Sequence, residues 1–278
     1  MQGTASNMLA ERLFRPAIAA GACIMRHFDA GTQVLTKADG SPVTAADREA
    51  EAIIAAALAE IAPGIPVIAE EAASRGEMLV HGETFFLVDP LDGTREFAAR
   101  RPEFTVNIAL VKSRVPVFGL IYAPAMSQLY WTAGSEHAFK AQVSCKDAPA
   151  SLEDVAAERL STRAAHSGGL TIVASRSHGS QALEDWLRNV DVKDRVNIGS
   201  SLKFCLVAEG KADLYPRFGP TKEWDTAAGH AIVLAAGGSV TRADGTPLLY
   251  AKREANYLNP SFIVWSGAPR AALLGPVD

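Results

Sequence analysis

The sequence predicts a layered α/β protein with an N-terminal α+β part and a C-terminal part of alternating strands and helices. Helical patterns dominate the first 62 residues, a run of apolar strand patterns follows, and no internal repeat or low-complexity segment interrupts the chain. The chain has 278 residues, 48% of them hydrophobic and 21% charged, as is usual for a globular protein with a large core. We divide it into residues 1–145 and 146–278, which together form one structural unit with the active site between them.

The first part begins with an amphipathic helical pattern over residues 7–28 and an Ala-rich helical pattern that ends near Pro63. Strand patterns then follow one another, and the last three are expected to be antiparallel neighbours. They are IPVIAEE (65–71), TFFLVDP (84–90), FTVNIALVK (104–112), PVFGLIYAP (116–124) and QLYWTAG (128–134). The polar segment at 144–169 then marks the predicted domain boundary.

The second part alternates strand and helix patterns. Gly210 and Gly237 are expected to end two of its helices, because glycine is favoured just past a helix end. In chain order the segments are a strand LTIVASRSH (170–178), a helix QALEDWLRNV (181–190), a strand RVNIG (195–199), a helix SSLKFCLVAEG (200–210), a strand ADLYPRF (212–218) and a helix DTAAGHAIVLAAGG (225–238).

Charge and cysteine usage exclude several classes of protein. The formal net charge of −4 gives no basic patch for nucleic acid, although an acidic protein can bind an anionic substrate through metal ions. No apolar run is long enough for a membrane span, and the N-terminus lacks a signal-peptide pattern. Three widely spaced cysteines without a CxxC pair indicate buried thiols in a reducing compartment, not disulfides or a zinc site. We therefore expect a cytoplasmic enzyme, monomeric or homodimeric.

Several acidic residues stand at predicted element ends, and each has an ordinary structural explanation. Asp89 and Asp92 suit a turn after a strand, Asp225 suits an N-cap, and Glu70 and Asp47 suit solvated positions. Taken singly, these explanations are favoured.

Considered together, the same residues indicate a metal site. Asp89 and Asp92 are separated by Pro90-Leu91, so a tight turn can direct both carboxylates and the Leu91 carbonyl at one point. Oxygen ligands of this kind suit Mg²⁺, and a cation removes the repulsion between close carboxylates. Gly93-Thr94 then provides a hydroxyl and backbone N–H groups at a predicted helix start, where phosphate oxygens bind well. The pattern predicts metal-assisted phosphate hydrolysis.

Three motifs in order resemble the inositol monophosphatase superfamily: Glu70, DPLDGT at 89–94 and WDTAAG at 224–229. The resemblance implies the αβαβα sandwich that this superfamily shares with fructose-1,6-bisphosphatase, and a Mg²⁺-dependent, lithium-sensitive phosphatase activity. It also implies that Glu70, Asp89 and the Leu91 carbonyl hold one Mg²⁺, that Asp89, Asp92 and Asp225 hold a second, and that a third, weaker ion shares Glu70.

Within the superfamily, residues 198–231 are similar to the bacterial 3′(2′),5′-bisphosphate nucleotidases, with support from residues 37–47, 95–97, 104–110 and 173–178. This likeness implies hydrolysis of adenosine 3′,5′-bisphosphate to AMP and phosphate, with 3′-phosphoadenylyl sulfate as a second substrate. Ala69, where Ser is common, and Arg95, where Lys is common, depart from the pattern without removing a ligand.

The implied catalytic residues are Thr94 and Asp47, which position and deprotonate the attacking water, with Glu70 as ligand and second candidate base. The implied substrate contacts are Gly93, Thr94, Gly199, Ser200, Ser201, Lys203, Arg217 and Asp225. For the two serines N-capping is the alternative, and for Lys203 a solvated helix face. His178 and His230 are interpreted as structural.

Three other functions stay open. One is an inositol or sugar monophosphatase of the same superfamily, and another is a non-catalytic, phosphometabolite-binding regulator. Short RNA ends are a further possible substrate, although nothing in the composition favours a nucleic-acid partner.

Overall fold

The computed structural model describes residues 2–31, 35–36, 42–76, 82–164, 168–176 and 180–275. Residues 37–41 and 177–178, which contribute to the family resemblance, lie outside this part of the chain. The α-helices within it are α1 (Gln2–Ala30), α2 (Ala45–Ile61), α3 (Glu70–Ser74), α4 (Thr94–Ala98), α5 (Gln181–Leu187), α6 (Leu202–Ala208) and α7 (Ala227–Ala235).

The strands form two large sheets and one short hairpin. They are β1 (Leu35–Thr36), β2 (Pro42–Val43), β3 (Val67–Ala69), β4 (Thr84–Asp92), β5 (Thr105–Lys112), β6 (Val115–Ala123), β7 (Gln128–Thr132), β8 (Ala138–Gln142), β9 (Ala157–Arg159), β10 (Leu170–Ser175), β11 (Val192–Ile198), β12 (Leu214–Arg217), β13 (Ser239–Arg242) and β14 (Phe262–Trp265).

The first large sheet has seven strands in chain order from β3 to β9; β3 and β4 are parallel, and the other neighbouring pairs are antiparallel. The second has five strands in the order β11-β10-β12-β14-β13. The change from one sheet to the other falls between Arg159 and Leu170. The division into residues 1–145 and 146–278 stays a prediction.

Five layers of secondary structure enclose three apolar clusters. The pair α1 and α2 covers one face of the seven-stranded sheet. The pair α6 and α7 lies between the two large sheets, and α5 covers the outer face of the five-stranded sheet. The order is therefore αβαβα, which confirms the predicted fold class.

The seven-stranded sheet is buried on both faces, and β4 shows how its sequence achieves this. Phe85 and Leu87 pack in the cluster between the sheets. Phe86 and Val88 pack against α1 and α2. Successive side chains of a strand point to opposite faces, so a continuous apolar run is what a doubly covered strand requires.

Most predicted elements differ from the structure by a few residues at their ends, and three of these differences have a clear physical reason. The strand predicted over 65–71 stops at Ala69, because Glu70 starts the short helix α3. The helices predicted over 200–210 and 225–238 are shorter, and the backbone turns left-handed at Gly210 (φ 67°) and Gly237 (φ 96°) beyond their ends. The glycines therefore lie past the helix ends, where this conformation costs least.

Helix α7 fits between its neighbours because two positions lack a side chain. A Cβ atom at Gly119 on β6 would overlap the backbone of Ala228 on α7. A Cβ atom at Gly229 on α7 would overlap the ring of Phe204 on α6. Helix α7 is thus held closely on both sides. Among the described residues, no helix is long and apolar enough to cross a membrane.

Candidate active site

The predicted pair Asp89 and Asp92 lies at the end of β4, where the strand pairing is irregular. Asp89 faces Asn107 on β5, whereas Asp92 faces Thr105, so two residues of β4 lie opposite one residue of β5. Such a bulge bends a strand and redirects its side chains. Asp89 is 1% exposed, and its Oδ1 accepts a hydrogen bond from the Leu91 N–H at 3.0 Å.

Three carboxylates from separate parts of the chain meet here, and we call them the acidic cluster: Glu70, Asp89 and Asp225. One oxygen from each lies within 4.8 Å of the others. Glu70 begins α3 after the parallel strand β3, and Asp225 lies two residues before α7. Asp225 is not the N-cap, which is Thr226; instead its Oδ2 accepts a hydrogen bond from the Lys222 N–H at 2.8 Å.

The electrostatics of the acidic cluster oppose its own ionisation. Burial, followed by the charges of Glu70, Asp92 and Asp225, raises the pKa of Asp89 well above its usual value. Burial and the charges of Asp92 and Glu70 raise the pKa of Asp225 in the same way. Close buried carboxylates hold protons for this reason, and a cation among them favours their ionised forms.

Asp92 lines the same cavity but turns toward the second part of the chain. Its Oδ2 accepts hydrogen bonds from Ser200 Oγ at 2.9 Å and from the Ser201 N–H at 2.6 Å. Burial raises the pKa of Asp92, while Lys203 and these two hydrogen bonds oppose the rise. Asp92 therefore joins the acidic cluster to residues near the start of α6.

Thr94 and Asp47 lie together beside the acidic cluster. The Thr94 hydroxyl lies 3.4 Å from Asp47 Oδ1 and 3.1 Å from the Leu91 carbonyl oxygen, and both can accept its proton. Asp47 is buried, contrary to the solvated alternative, and its Oδ2 accepts hydrogen bonds from the N–H and the hydroxyl of Thr44 at 2.7 and 2.8 Å. This capping box at the start of α2 fixes the carboxylate that faces Thr94.

Gly93 makes the turn from β4 into α4. Its φ is 91°, a left-handed conformation, and a Cβ there would lie 2.9 Å from the Glu103 carbonyl oxygen. Both features require glycine at this position. Gly93 and Thr94 line the cavity next to Asp92.

The same cavity is lined by a second group that we call the basic wall: Ser200, Ser201, Lys203 and Arg217. Lys203 is 6% exposed and donates to the Ser200 carbonyl oxygen. Arg217 is 7% exposed and donates to the carbonyl oxygens of Gly219 at 3.1 Å and Pro220 at 2.7 Å. All four line the cavity, so the solvated alternative for Lys203 is wrong.

Ser200 and Ser201 do not cap α6 with their side chains, contrary to the N-cap alternative. Ser200 has a φ of 57°, an uncommon conformation for a residue with a side chain. The Ser201 hydroxyl lies 2.8 Å from the Thr105 hydroxyl and donates to Asn107 Oδ1 at 2.8 Å. These contacts, with those to Asp92, hold the strained turn.

Gly199 lies beside the cavity rather than on its wall. Its N–H donates to Glu103 Oε2 at 3.2 Å, and a Cβ there would lie 2.7 Å from the Glu96 side chain. His230 is buried, and its Nδ1 lies 3.0 Å from the Tyr250 hydroxyl, which agrees with a structural role.

The sequence prediction assigned no role to Thr105 and Asn107, which hold the basic wall, or to Glu96 and Tyr215, which line the cavity. One signal for the first pair was available. Thr105 and Asn107 are two residues apart in an otherwise apolar strand pattern, so they share one face of a buried strand. Buried polar side chains need partners, and that requirement points to a polar site nearby.

The donor set fits Mg²⁺, the ion expected from the sequence. The acidic cluster brings three carboxylates together, and the pKa values of Asp89 and Asp225 are raised by burial and by neighbouring carboxylates. Hard divalent cations prefer such oxygen ligands, and their charge removes this mutual repulsion.

Comparisons with known proteins identify the family of the chain. The model of the inositol monophosphatase family matches residues 8–267. An Escherichia coli O6:H1 protein named 3′(2′),5′-bisphosphate nucleotidase CysQ is 45% identical over 253 residues, which cover 88% of this chain and 94% of that protein. A Salmonella typhimurium protein of the same name is 42% identical over 261 residues, covering 91% and 98%.

Among solved structures, CysQ from Bacteroides thetaiotaomicron, described as a bacterial member of the inositol monophosphatase family, has a TM-score of 0.75 and 40% identity. The match covers 93% of this chain and 96% of that one. The family match covers almost the whole chain and includes every residue of the acidic cluster and the basic wall. This protein belongs to the inositol monophosphatase family.

Proposed function

We propose that this protein is a 3′(2′),5′-bisphosphate nucleotidase, which hydrolyses the 3′-phosphate of adenosine 3′,5′-bisphosphate to give AMP and phosphate. The observation that carries the proposal is a single cavity lined by both the acidic cluster and the buried cations Lys203 and Arg217. A substrate with two phosphates suits such a cavity, because one phosphate can react at the carboxylates while the other meets the cations. The names of the relatives support the same substrate.

Mg²⁺ would be held by Glu70, Asp89, Asp92, Asp225 and the Leu91 carbonyl, as two ions with a third, weaker one sharing Glu70. When bound, Mg²⁺ supplies positive charge to the phosphoryl oxygens and the leaving oxygen and lowers the pKa of a water molecule. The Leu91 carbonyl oxygen lies 3.1 Å from the Thr94 hydroxyl and is an alternative to Asp47 as the acceptor of its one proton.

Thr94 and Asp47 would orient and deprotonate the attacking water. The Thr94 hydroxyl lies between the Asp47 carboxylate at 3.4 Å and the cavity. Asp47 Oδ2 is occupied by Thr44, so Oδ1 is the oxygen that faces Thr94. A hydroxyl that donates to a buried carboxylate presents its lone pairs to water, which is the geometry of a relayed general base. Glu70 is the second candidate base.

The basic wall would bind the phosphate that is not hydrolysed. Lys203 and Arg217 provide two buried positive charges, and Ser200 and Ser201 provide hydroxyls. Because their protein partners fix these groups before substrate arrives, little ordering cost remains on binding. Gly93 and Thr94 would contact the reacting phosphoryl group, and Gly199 would support the turn from behind. We propose 3′-phosphoadenylyl sulfate as a second substrate, because it carries the same 3′-phosphate.

A substrate panel tests the proposal. Phosphate release is measured from adenosine 3′,5′-bisphosphate, inositol 1-phosphate and fructose 1,6-bisphosphate at equal Mg²⁺, with and without lithium and EDTA. We expect the highest kcat/KM for the adenosine bisphosphate, inhibition by lithium, and no activity in EDTA. Preference for inositol 1-phosphate or fructose 1,6-bisphosphate would overturn the substrate assignment but leave the metal site standing. Absence of hydrolysis of every substrate in Mg²⁺ would favour the non-catalytic alternative.

A further inference from the structure

Three metal-ligating side chains of different chemistry meet on the face of the molecule formed by α1 and α2. Cys23 and His27 are four residues apart on α1, so they lie on the same side of that helix. Glu49 comes from the adjacent α2. One ligand atom from each lies within 4.8 Å of the others. None of the three lines the active-site cavity.

The spacing of these atoms is close to that of a tetrahedral zinc site. His27 Nε2 lies 3.1 Å from Glu49 Oε1, and Cys23 Sγ lies 3.3 Å from Glu49 Oε2. Usual bond lengths to zinc, combined at a tetrahedral angle, require roughly 3.3 Å between nitrogen and oxygen and roughly 3.5 Å between sulfur and oxygen. The two contacts are to different oxygens of the Glu49 carboxylate, so a rotation of that group must bring one oxygen within reach of both the thiol and the imidazole when the ion binds.

The partial exposure of two of the three side chains gives an ion a path from solvent to the site. Cys23 is fully buried, whereas the side chains of His27 and Glu49 are 19% and 52% exposed. An ion can therefore reach the thiol from solvent by passing the carboxylate. The neighbouring Arg26 carries one positive charge, which a thiolate and a carboxylate together exceed.

Although the cysteine spacing alone indicates no zinc site, from this geometry we infer that Cys23, His27 and Glu49 form a second metal site, specific for a thiophilic divalent cation such as Zn²⁺ and separate from the Mg²⁺ site. Binding replaces the thiol proton of Cys23, which is released to solvent as the sulfur–metal bond forms. Three protein ligands leave a fourth position for water. Sulfur and imidazole ligands favour Zn²⁺ over Mg²⁺, in contrast to the carboxylates of the acidic cluster.

The location gives this site a structural consequence. The ion would cross-link α1 to α2, and α2 carries Asp47 two residues before Glu49. On the other helix, Phe28 follows His27 and packs against Phe97 and Phe104, at 5.4 and 5.0 Å between ring centroids. The cross-link therefore fastens the two helices at the end that supports Thr94 and Asp47.

A different role for Cys23, as a redox sensor, is disfavoured by its surroundings. Burial and the neighbouring Glu49 raise the pKa of the Cys23 thiol to about 11, so it is a poor nucleophile at neutral pH. All three cysteines are free thiols.

The test uses the full chain, saturated with Mg²⁺ and titrated with Co²⁺ as a spectroscopic substitute for Zn²⁺. We expect a thiolate-to-cobalt absorption band in the near ultraviolet at one equivalent. Among the described residues that line the active-site cavity there is no cysteine, so Co²⁺ bound there gives no such band. The band should be lost in Cys23→Ser and retained in the control Cys145→Ser, whose thiol is half-buried elsewhere.

A second variant keeps the inference testable if Cys23→Ser folds poorly. His27→Ala should weaken Zn²⁺ affinity roughly tenfold or more, measured by competition with a chromogenic chelator, because loss of even an outer partner of a ligand costs that much. Zn²⁺ should also raise the Tm of the wild type but not of His27→Ala. No band in the wild type, or a band that persists in Cys23→Ser, would overturn the inference.

Discussion

The acidic cluster and the basic wall line the same cavity, and they reach their shapes by different means. In the acidic cluster, burial and neighbouring carboxylates raise the pKa of Asp89 and Asp225 despite a backbone hydrogen bond to each. Each member of the basic wall instead has a protein partner: Lys203 bonds to Ser200, Arg217 to Gly219 and Pro220, and the serines to Asp92. The first group needs a cation to be complete, whereas the second is organised before any ligand arrives.

The strongest way to break the acidic cluster is Asp89→Asn, which keeps the shape of the side chain and removes its charge. We expect kcat to fall on the order of 10³-fold or more, since metal ions contribute several kcal/mol to the stabilisation of the transition state. The same variant should have a higher Tm than the wild type in EDTA, because one repelling charge is gone. Steady-state kinetics and thermal melts check both, with the exposed Asp147→Asn as control. A kcat of Asp89→Asn near that of the wild type would show that Asp89 is not a ligand of a catalytic Mg²⁺ ion.

The next largest effect is expected at Thr94, because its hydroxyl lies between the Leu91 carbonyl, a proposed Mg²⁺ ligand, and Asp47. Thr94→Val keeps the shape but removes the hydroxyl, and we expect kcat to fall about 10²-fold, as for loss of a positioned base. KM should change little. Thr94→Ser restores the hydroxyl and should retain most of the activity. Equal losses in the Val and Ser variants would show that packing, not the hydroxyl, is what matters here.

Substitutions in the basic wall should change KM for the bisphosphate more than kcat. Lys203→Met removes a buried charge, so KM for adenosine 3′,5′-bisphosphate should rise about 10- to 100-fold, the usual value of a hydrogen bond to a charged group. The KM for inositol 1-phosphate, which has no second phosphate, should change much less. The exposed Lys193→Met serves as the control. An equal effect on both substrates would contradict the proposed division between the two walls.

A pH series sharpens the same comparison. Burial lowers the pKa of Lys203 to about 8, although Asp92 opposes that effect. The amine is charged below this pH and neutral above it, so the KM for the bisphosphate should rise as the pH passes 8. Lys203→Arg keeps its charge and should show a flatter profile. A rise of equal size in both proteins would assign the pH dependence to another group.

The smallest expected effect is on the stability of the metal-free protein. Folding raises the pKa of Asp89 and Asp225 above the value of 3.8, so the folded state holds protons that the unfolded state has lost. Stability therefore falls as the pH rises from about 4 through the raised values. In EDTA the Tm should decrease over this range, and Mg²⁺ should flatten the decrease. The account would be contradicted if the Tm of the wild type in EDTA rose with pH and Asp225→Asn showed a rise of the same size.

Much of the fold is visible in the sequence, because local patterns determine it. The helix predicted at 45–61 is α2, and the strands predicted at 104–112 and 116–124 match β5 and β6 within one residue. Continuous apolar runs indicated buried strands correctly. Strands β8 and β9 are missing from the prediction, since β8 has no continuous apolar run and β9 is an exposed strand at the edge of the sheet.

The sequence predicts which residues form the site, but it does not predict the backbone geometry and contacts that hold them. The motifs identified Glu70, Asp89 and Asp225, and the structure brings them together. No local pattern, however, specifies that two residues of β4 lie opposite one residue of β5, or that Ser200 has a positive φ. The first feature depends on pairing with the neighbouring strand, and the turn at Ser200 and Ser201 is held by Thr105 and Asn107, about 95 positions away in the chain.

The two glycines around α7 have a consequence for the metal ligands. Asp225 lies just before α7, so its distance from Asp89 depends on how closely α7 packs against its neighbours. That packing is close because Gly119 on β6 meets the α7 backbone and Gly229 on α7 meets the Phe204 ring. A single methyl group at either glycine would act as a spacer and lift Asp225 away from its partners. Gly119 and Gly229 thus set the position of Asp225 relative to Asp89, although neither glycine lies in the cavity or takes part in the reaction.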